Sequence, residues 1–570
     1  MDDIILFPHL PERLAGLEEL AENLWWSWNP GARMLFKTLD RQGWKESGHN
    51  PDKMLRELPP EILEKAAADV DYLRQQIRDD GWQENLVEPI NREAAPISKV
   101  MGKDGRQVFV KVPLTDPPIY VAVWKIAVGR VSLYLMDTDV EINDPWNRDI
   151  TARLYIGDLE QRMRQEIVLG LGGAEVLKTL GIHHYLLHLN EGHAAFALLE
   201  HIRGHVQTGS EFAAACRKVI DSTIFTTHTP VPAGHDVFPF QLIEKYFHSY
   251  WPALGLDRDA FIKMGIHPEQ PDTGFNMTAF ALRLSGSRNG VSKRHAEVSR
   301  KMWRSLWPDV AEEQVPIDYI TNGVHVPTWI EPKIKLLLDK YLGADWLDKH
   351  DDPATWQLLD TIPDTELWQT HRWLKVKLID AVRELTRLRW ADGGGSSSVL
   401  LAGGAFLDPS VLTFAFVEDY GEQLAQYLVH GVDVWLNNPL PPFEACGTSG
   451  MKAALNGVPH LSVVDGWWGE GFNGNNGWAV DHDANSENPD GNDAEKIYRL
   501  LEDQVIPLYY KMSENGIPLE WVRLMKAAIK SAAAVYSARR MAKQYIEFYS
   551  TSFQRVLKEN DGPIQSEPHL

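Results

Sequence analysis

Apolar residues along this chain recur first with helical spacing and then in short runs typical of strands. In residues 14–78 they return near every third and fourth position, which predicts helices. Residues 97–101 and 107–112 are two strand-like runs separated by Asp104-Gly105, and residues 120–128 and 131–136 form a second pair around Gly129. Short runs joined through such turn residues predict two β-hairpins.

From residue 161 onwards, predicted helices and predicted strands alternate. Helical spacing covers residues 161–180, 193–201 and 212–221, and the apolar runs beside them are residues 185–189 and 223–227. This alternation is the βα pattern of a doubly wound sheet, in which parallel strands are covered by helices. The sequence therefore predicts an α/β fold for this part of the chain.

A second and smaller α/β part follows a loop-like stretch around Asn322-Gly323. A helix is predicted for residues 364–390, because Asp364 after Pro363 is a good N-cap, and a Gly/Ser loop follows at residues 392–398. Three strands (411–417, 432–436 and 460–464) precede three helices (494–504, 519–536 and 537–553). We predict two lobes: residues 1–322, an N-terminal α/β lobe with a helical extension, and residues 323–570, a C-terminal lobe.

The charge and the cysteine content narrow the class of partner. The chain has 57 basic and 79 acidic residues, a formal net charge of −22, which argues against nucleic acid and anionic membranes. Cys216 and Cys446 are too far apart in sequence to suggest a disulfide framework and lie in no metal-ligand motif. Residues 1–10 lack the basic start of an export signal, and no apolar run is long enough to span a membrane. We expect a cytoplasmic protein without a metal.

The segment at residues 444–452 (EACGTSGMK) carries the clearest chemistry. It sets Lys452 just inside a helix that opens with small, hydroxylated residues. The N–H groups and dipole of a helix start attract a phosphate, and a lysine amine can form a Schiff base with an aldehyde. Pyridoxal phosphate carries both groups. Such a turn alone is more often a structural helix cap, but the apolar runs on either side place this one at the carboxyl edge of a parallel sheet.

Tryptophan is abundant, with 21 residues in the chain. Most are expected in the core, because aromatic side chains bury large areas. Trp467 and Trp468 directly follow the predicted strand at residues 460–464. We therefore expect these two rings to be available for stacking against a sugar.

Seven segments, in order along the chain, make it similar to the α-glucan (glycogen, starch or maltodextrin) phosphorylases, especially their short bacterial branch. They are residues 23–30 (NLWWSWNP), 157–166 (GDLEQRMRQE), 189–193 (LNEGH), 226–235 (TTHTPVPAGH), 289–295 (NGVSKRH), 321–325 (TNGVH) and 444–452 (EACGTSGMK). The resemblance implies a two-lobed glycosyltransferase-B-like fold with two Rossmann-like sheets, of which the C-terminal one is reduced here. It also implies a pyridoxal phosphate-dependent glycosyltransferase that converts glucan and inorganic phosphate to glucose 1-phosphate.

The resemblance also implies roles for individual residues. Lys452 would carry the cofactor, Thr448 and Ser449 would cradle its phosphate, and Gly447 would offer a backbone contact to the sugar. His228 would act at the reducing centre of the bound glucose. Asn322 and Glu444 would bind the hydroxyls of that glucose. These residues are expected to converge on one cleft. From the residues alone, His228 could equally cap a loop, whereas Glu444 suits a sugar better than a phosphate. The partners would be α-glucan or maltodextrin and inorganic phosphate, and a homo-oligomer is left open.

Two blocks that the family usually has are missing. A Gly-rich loop that approaches the phosphates is expected between Arg74 and Gln75, and an Arg/Lys-rich phosphate-binding segment between Phe416 and Val417. Cys446 also stands where serine is usual, and residues 440–442 (LPP) stand where two arginines are common. Since charge-assisted contacts hold phosphate, we expect these losses to weaken phosphate binding more than they alter the fold.

Other functions stay open at the level of sequence. An active phosphorylase would need replacement cations such as Lys293, Arg294 or Arg162. A catalytically impaired relative that still binds glucan or pyridoxal phosphate would account for the missing blocks. A sugar-nucleotide glycosyltransferase accounts for the two sheets but not for Lys452. An amino-acid-transforming enzyme with the same cofactor has no assignable partner for the pyridine nitrogen.

Overall fold

The computed structural model describes residues 3–5, 90, 92, 95–113, 117–154, 157–391 and 421–561. The helices predicted within residues 14–78, the loop at residues 392–398, the strand at residues 411–417 and the positions of both missing blocks lie outside the described residues. Contacts group the chain into two compact units. We call them the N unit (Val87–Thr321, Pro442–Cys446 and Met541–Leu570) and the C unit (Met1–Leu86, Asn322–Pro441 and Gly447–Arg540). The division into functional lobes at residue 322 stays a prediction.

The N unit contains a parallel sheet and an antiparallel sheet with helices around them. Its strands are Ser98–Lys99, Phe109–Val112, Ile119–Val128, Val131–Asp137, Leu187–Asn190, Thr223–Thr226, Val237–Phe238, Phe275–Asn276, Ser287–Gly290 and Asp318–Tyr319. Its helices are Pro145–Arg148, Leu159–Ile167, Gly173–Thr179, Phe196–Gln207, Phe212–Ser222, Phe240–Phe247, Arg258–Lys263, Met277–Arg283 and Lys293–Trp303, and most of Ala538–Asp561 also belongs to this unit.

The parallel sheet of the N unit has four strands, in the order Asp318–Tyr319, Ser287–Gly290, Thr223–Thr226 and Leu187–Asn190. Its core is apolar: the strand residues Leu189 and Phe225 join a cluster of buried side chains that includes Phe196 and Phe280. This is the parallel α/β arrangement predicted from the βα alternation. The predicted helix at residues 161–180 is interrupted by a π-helical turn, Val168–Gly172.

The C-terminal helix Ala538–Asp561 reaches into the N unit through side chains beyond residue 541. The hydroxyl of Tyr549 lies 2.7 Å from Nδ1 of His188, and the amide of Asn289 donates to the hydroxyl of Tyr545 at 3.1 Å. Arg555 donates to the carbonyl of Gly286 at 2.6 Å. These bonds explain why the last part of the chain groups with the N unit.

The C unit contains a second sheet and many helices. Its strands are Asp3–Ile5, Val434–Asn437, His460–Val463 and Gly477–Val480, and the last three are parallel to one another. Its helices are Val326–Trp329, Pro332–Leu342, Pro353–Gln357, Asp364–Ala391, Glu422–Gly431, Thr448–Leu455, Trp468–Gly471, Pro489–Leu500, Ile506–Tyr510 and Leu519–Ala533. Thr448–Leu455, hereafter the lysine helix, connects two neighbouring parallel strands, as the sequence predicted.

The predicted hairpin of residues 120–128 and 131–136 is present, and Val128 pairs with Val131 across a turn in which Gly129 has a φ of 58°. The predicted pairing of residues 97–101 with residues 107–112 is reduced to one bridge, between Met101 and Gln107, across a turn in which Gly105 has a φ of 73°. The strands Ser98–Lys99 and Phe109–Val112 pair with Ile119–Val128 instead of with each other. Glycine adopts such positive φ angles without a steric penalty. Among the described residues, no helix combines the length and apolar character needed to cross a membrane.

Candidate active site

Three of the segments singled out in the sequence follow neighbouring strands of the N-unit sheet. Glu191 follows Leu187–Asn190, His228 lies two residues after Thr223–Thr226, and Ser292 lies two residues after Ser287–Gly290. All three strands are parallel, so their carboxyl ends lie at the same edge. Ligands bind at this edge in open α/β folds.

Glu191 organises the turn that carries His228. Its carboxylate oxygen Oε1 accepts from the backbone N–H of Thr229 at 2.8 Å and from the hydroxyl of Thr227 at 3.0 Å. It also accepts from the backbone N–H of His228. Glu191 is buried and has a φ of 60° and a ψ of −179°, a backbone conformation that is costly for a residue with a side chain. The hydrogen bonds of this carboxylate to the turn at His228 were not predicted from its segment.

The His228 side chain itself is exposed at the sheet edge. Desolvation by the surrounding protein nevertheless lowers the pKa of its imidazole, and the carboxylate of Glu191 acts in the opposite direction. A lowered pKa favours the neutral imidazole at pH 7, which can both donate and accept a hydrogen bond. His228 can therefore serve a polar, uncharged ligand.

The segment that contains Glu444 reaches the same edge. The hydroxyl of Ser292 donates to the carbonyl of Ala445 at 2.6 Å, while its oxygen accepts from the backbone N–H of His295 at 3.0 Å. Ser292 thus caps the helix Lys293–Trp303 and fixes the neighbour of Glu444. Glu444 is half-buried. The structure therefore brings the segments of His228 and Glu444 together in the N unit.

Four charged or titratable side chains form a cluster beside this edge, and no single segment of the sequence predicts it. Asp236 Oδ2 is 3.0 Å from Nη2 of Arg162 and 3.1 Å from Nδ1 of His193. Oε1 of the buried Glu166 is 3.3 Å from the same Arg162 nitrogen and 3.4 Å from the same His193 nitrogen. We call these residues the Glu166 cluster.

The Glu166 cluster perturbs the titration of its members. Burial raises the pKa of Glu166 to about 8, and hydrogen bonds with Asp236 and Glu166 raise the pKa of His193 to about 9. Burial acts to raise the pKa of Asp236 as well, but hydrogen bonds from His193 and Arg162 outweigh it and lower that pKa. His193 is therefore protonated at pH 7 and donates to Asp236.

The Glu166 cluster has the spacing of a metal site but not its charge. One ligand atom each of Glu166, His193 and Asp236 can be chosen so that all lie within 4.8 Å of one another. However, the guanidinium of Arg162 already supplies a cation among them. An ion-pair network explains this arrangement without a metal.

The lysine helix begins without a side-chain cap. Its N-cap residue, Gly447, has a left-handed conformation with a φ of 77°, and no side chain accepts a hydrogen bond from the first turn at that position. Thr448 and Ser449 are half-buried in this first turn. An uncapped helix start offers its N–H groups and positive dipole end to an anion, so these residues fit a phosphate.

Lys452 lies one turn further along the lysine helix. Its Nζ is 4.0 Å from the centroid of the Trp329 ring, a cation–π distance. The buried Asn456 holds this arrangement, because its amide donates to the carbonyl of Trp329 at 2.8 Å and to the carbonyl of Lys452 at 2.9 Å. Its oxygen accepts from the backbone N–H of Glu331 at 2.9 Å. The amine of Lys452 and the uncapped turn together fit pyridoxal phosphate.

Close packing fixes the lysine helix against the next strand. A Cβ atom on Gly450 would come within 2.7 Å of Cε1 of His460, so only glycine fits without a shift. Burial lowers the pKa of His460 to about 3, and its ring is neutral. Trp467 and Trp468 pack against the His460 ring and are each 1% exposed. The prediction that these two tryptophans are available to a sugar is wrong.

Asn322 is the second residue of the segment at residues 321–325 and begins the stretch Asn322–Pro441 of the C unit. Its carbonyl accepts a hydrogen bond from Nη2 of Arg540 at 3.1 Å, and its side chain is half-buried. The next residue, Gly323, lies against the carbonyl of Ser537 so closely that a Cβ atom would come within 2.3 Å. Asn322, Gly447, Thr448, Ser449 and Lys452 belong to the C unit. The convergence of these residues with His228 stays a prediction.

Comparisons with known proteins identify relatives of this chain. Over 95% of its length, the chain is 37% identical to the glycogen phosphorylase of Aquifex aeolicus, of which it covers 99%. It is 33% identical to the maltodextrin phosphorylase of Thermococcus litoralis, covering 96% of this chain and 82% of the relative. It is 30% identical to the glycogen phosphorylase of Mycobacterium tuberculosis, covering 96% of this chain and 83% of the relative.

Two further findings concern the length and the N-terminal part. The alignment with the Aquifex aeolicus protein needs 690 positions although this chain has 570 residues, as expected if blocks are missing. A family model described as a protein of unknown function (DUF3417) matches residues 10–90. The identity to the named relatives extends over nearly the whole chain, which therefore belongs to the glycogen and maltodextrin phosphorylase family of glycosyltransferases.

Proposed function

We propose that this chain is an α-1,4-glucan phosphorylase, which uses inorganic phosphate to release glucose 1-phosphate from the ends of a glucan in the cytoplasm. The observation that carries the proposal is the position of Lys452: one turn into an uncapped helix between two parallel strands, in a chain of the phosphorylase family. The names of the relatives supply the substrate class, glycogen or maltodextrin.

The C unit supplies the cofactor site in this proposal. Lys452 would hold the aldehyde carbon of pyridoxal phosphate, and Thr448 and Ser449 would hold its phosphate at the start of the lysine helix. When bound, the cofactor supplies a phosphate group that exchanges protons with the substrate phosphate. Asn456 and Trp329 keep Lys452 in place through the contacts described above.

The N unit supplies groups for the sugar. A neutral His228 can exchange hydrogen bonds with a glucosyl hydroxyl and adds no charge near a carbon that becomes positive during cleavage. Glu191 holds the backbone of His228, and Glu444 would accept hydrogen bonds from sugar hydroxyls. Asn322 is assigned to the same sugar, and Gly447 to a backbone contact. The net charge of −22 suits a neutral polysaccharide better than an anionic one.

The test is an assay of the purified chain with maltodextrin, inorganic phosphate and added pyridoxal phosphate. We expect glucose 1-phosphate to form, the protein to absorb in the near ultraviolet, and borohydride to fix the cofactor covalently on Lys452. The matched control is Lys452→Arg, which keeps the positive charge but cannot hold the aldehyde. A chain that takes up no cofactor, or whose turnover survives Lys452→Arg, would refute the proposal.

A further inference from the structure

The antiparallel sheet of the N unit presents one apolar face to the core and an aromatic face outwards. Ile119, Val121 and Val123 of its central strand are fully buried. The alternate residues Tyr120 and Trp124 point to the opposite face, because side chains alternate along a strand. We call this outward face, with the groups lining it, the aromatic trough.

The floor of the aromatic trough is Ala122, which lies between Tyr120 and Trp124 on the same face. Ala122 is paired with Phe109 of one neighbouring strand and with Asp137 of the other. Aromatic rings therefore border the small alanine on three sides, and a carboxylate borders it on the fourth. Phe109 is 48% exposed, although it is a large apolar side chain.

Polar groups at the rim of the aromatic trough are already held in position. Oδ2 of Asp137 accepts from Nε1 of Trp124 at 3.2 Å, and Oδ1 accepts from Nη2 of Arg92 at 3.2 Å. The same Arg92 nitrogen donates to Asp139 at 3.0 Å. Nζ of Lys99 lies 5.8 Å from the centroid of the Trp124 ring. The trough thus combines aromatic rings with donors and acceptors that are held in position by hydrogen bonds.

The shape and charge of the trough select a class of ligand. Its cavity measures about 760 Å³, which is within the size range of sites for small molecules. The lining has two cations, Arg92 and Lys99, and three carboxylates, Asp137, Asp139 and Glu141. A hydrocarbon ligand would cover these charged groups without offering them hydrogen bonds, and a polyanion would meet the carboxylates. A sugar instead offers C–H faces to the rings and hydroxyls to the rim.

We propose that the aromatic trough binds a segment of neutral oligosaccharide, as a glucan-binding site additional to the one at His228. The choice of an α-1,4-glucan rests on the proposed function, whereas the binding of a neutral carbohydrate follows from the trough alone. The site holds the polymer on the N unit, and it takes no part in bond cleavage. None of its residues belongs to the segments assigned to catalysis.

The test is affinity electrophoresis of the full chain and of Trp124→Ala in gels containing glycogen, together with calorimetric titration by maltoheptaose. We expect Trp124→Ala to weaken retention by glycogen about tenfold, as for the loss of one central aromatic contact. Turnover of maltoheptaose at saturation should not change. Phe109→Ala should weaken retention in the same direction. The control is Trp373→Ala, which removes an exposed tryptophan of the C unit and should leave retention as it is.

The outcomes separate this proposal from the proposed function. Retention that is sensitive to Trp124→Ala in a chain without phosphorolysis would refute the proposed function but support the trough. Unchanged retention in Trp124→Ala would overturn the trough, whatever the turnover. If Trp124→Ala instead lowers the melting temperature and leaves retention unchanged, the trough has a structural role in this chain and the proposal also fails.

Discussion

Among the described residues, Glu191 is the only non-glycine residue with a positive φ. Such a conformation costs about 1–3 kcal/mol and persists where the surroundings over-determine it. Here the surroundings are the three donors that its carboxylate accepts from the turn at His228. The strain at Glu191 is therefore linked to the position of His228.

Substitutions at Glu191 should separate the strain from the hydrogen bonds. Glu191→Ala removes the acceptor and keeps the strain, so we expect a loss of about 1–3 kcal/mol in the free energy of unfolding. Glu191→Gly removes the same acceptor but relieves the strain, so it should be the more stable of the two variants. Urea unfolding measures the order. A Glu191→Ala variant as stable as the wild type would contradict this account.

The Glu166 cluster should make stability depend on pH. The pKa of Glu166 is 4.5 in the unfolded chain and about 8 in the folded chain. The protonated carboxyl therefore contributes its full stabilisation below pH 4.5, and this contribution is lost as the pH rises through about 8. The raised pKa of His193 has an effect of the same sign, because its stabilising contribution is lost as the pH rises from 6.5 to about 9. The glutamine side chain of Glu166→Gln cannot ionise. The melting temperature of this variant should therefore rise relative to that of the wild type as the pH increases from about 5 to about 9.

The control for this pH dependence is Glu211→Gln, which changes an exposed carboxyl of the same unit. Its melting temperature should follow the wild type at every pH. A constant difference between Glu166→Gln and the wild type across the pH range would show that Glu166 is ionised in the folded chain.

Sequence motifs identified single residues better than groups of them. Lys452, His228 and Glu444 were proposed from short segments, because each segment carries its chemistry locally. Glu166 lies in the segment at residues 157–166, one helical turn after Arg162, whereas Asp236 directly follows the segment at residues 226–235. Only the fold brings Asp236 to the same arginine, across 74 positions of sequence.

At the scale of elements, the pattern of apolar residues predicted four of the described parallel strands with small shifts of their ends, but it did not predict Ser287–Gly290 or Asp318–Tyr319. The strand predicted at residues 432–436 is Val434–Asn437, and that at residues 460–464 is His460–Val463. The strand Gly477–Val480 was missed because it has four residues and starts at a glycine. Trp468 was expected at the surface, but the chain turns back and its Nε1 donates to the carbonyl of Trp478 at 3.0 Å.

The lysine helix depends on Asn456 for its connection to Trp329. Asn456→Ala would leave the carbonyl of Trp329 and the N–H of Glu331 without this partner. We expect a loss of about 1–3 kcal/mol in the free energy of unfolding and a lower occupancy of pyridoxal phosphate, because Lys452 is less well positioned. Unfolding in urea and near-ultraviolet absorbance measure the two effects.

The matched control is Asn488→Ala, which removes an exposed helix cap in the same unit. It should cost about 1 kcal/mol and leave cofactor occupancy unchanged. If both asparagine variants lose cofactor equally, the effect of Asn456 is one of general stability and the positioning role is wrong.

At the scale of the whole molecule, the family was predicted from sequence because the seven segments are spread over most of the chain, in order. The grouping of residues 442–446 and residues 541–570 with the N unit could not be predicted in the same way, because it depends on contacts between segments that are far apart in sequence. The missing blocks were also a sequence observation, and the longer alignment with the Aquifex aeolicus relative supports them. Their consequence is chemical, since both blocks are expected to contact phosphate.

The last prediction concerns that phosphate. Two phosphate groups held close together repel each other unless cations compensate, and the chain lacks the basic segment expected after Phe416 and the Gly-rich loop expected after Arg74. We expect the half-saturating phosphate concentration to fall about tenfold or more when both blocks are restored from the Aquifex aeolicus relative, since charge-assisted contacts are worth about 1.5–3 kcal/mol each. Affinity for maltoheptaose should not change, and Lys452→Arg should abolish turnover in both chains. Initial rates over a range of phosphate concentrations provide the measurement. Equal half-saturating concentrations in the two chains would mean that other cations, such as Lys293 or Arg294, replace the missing ones.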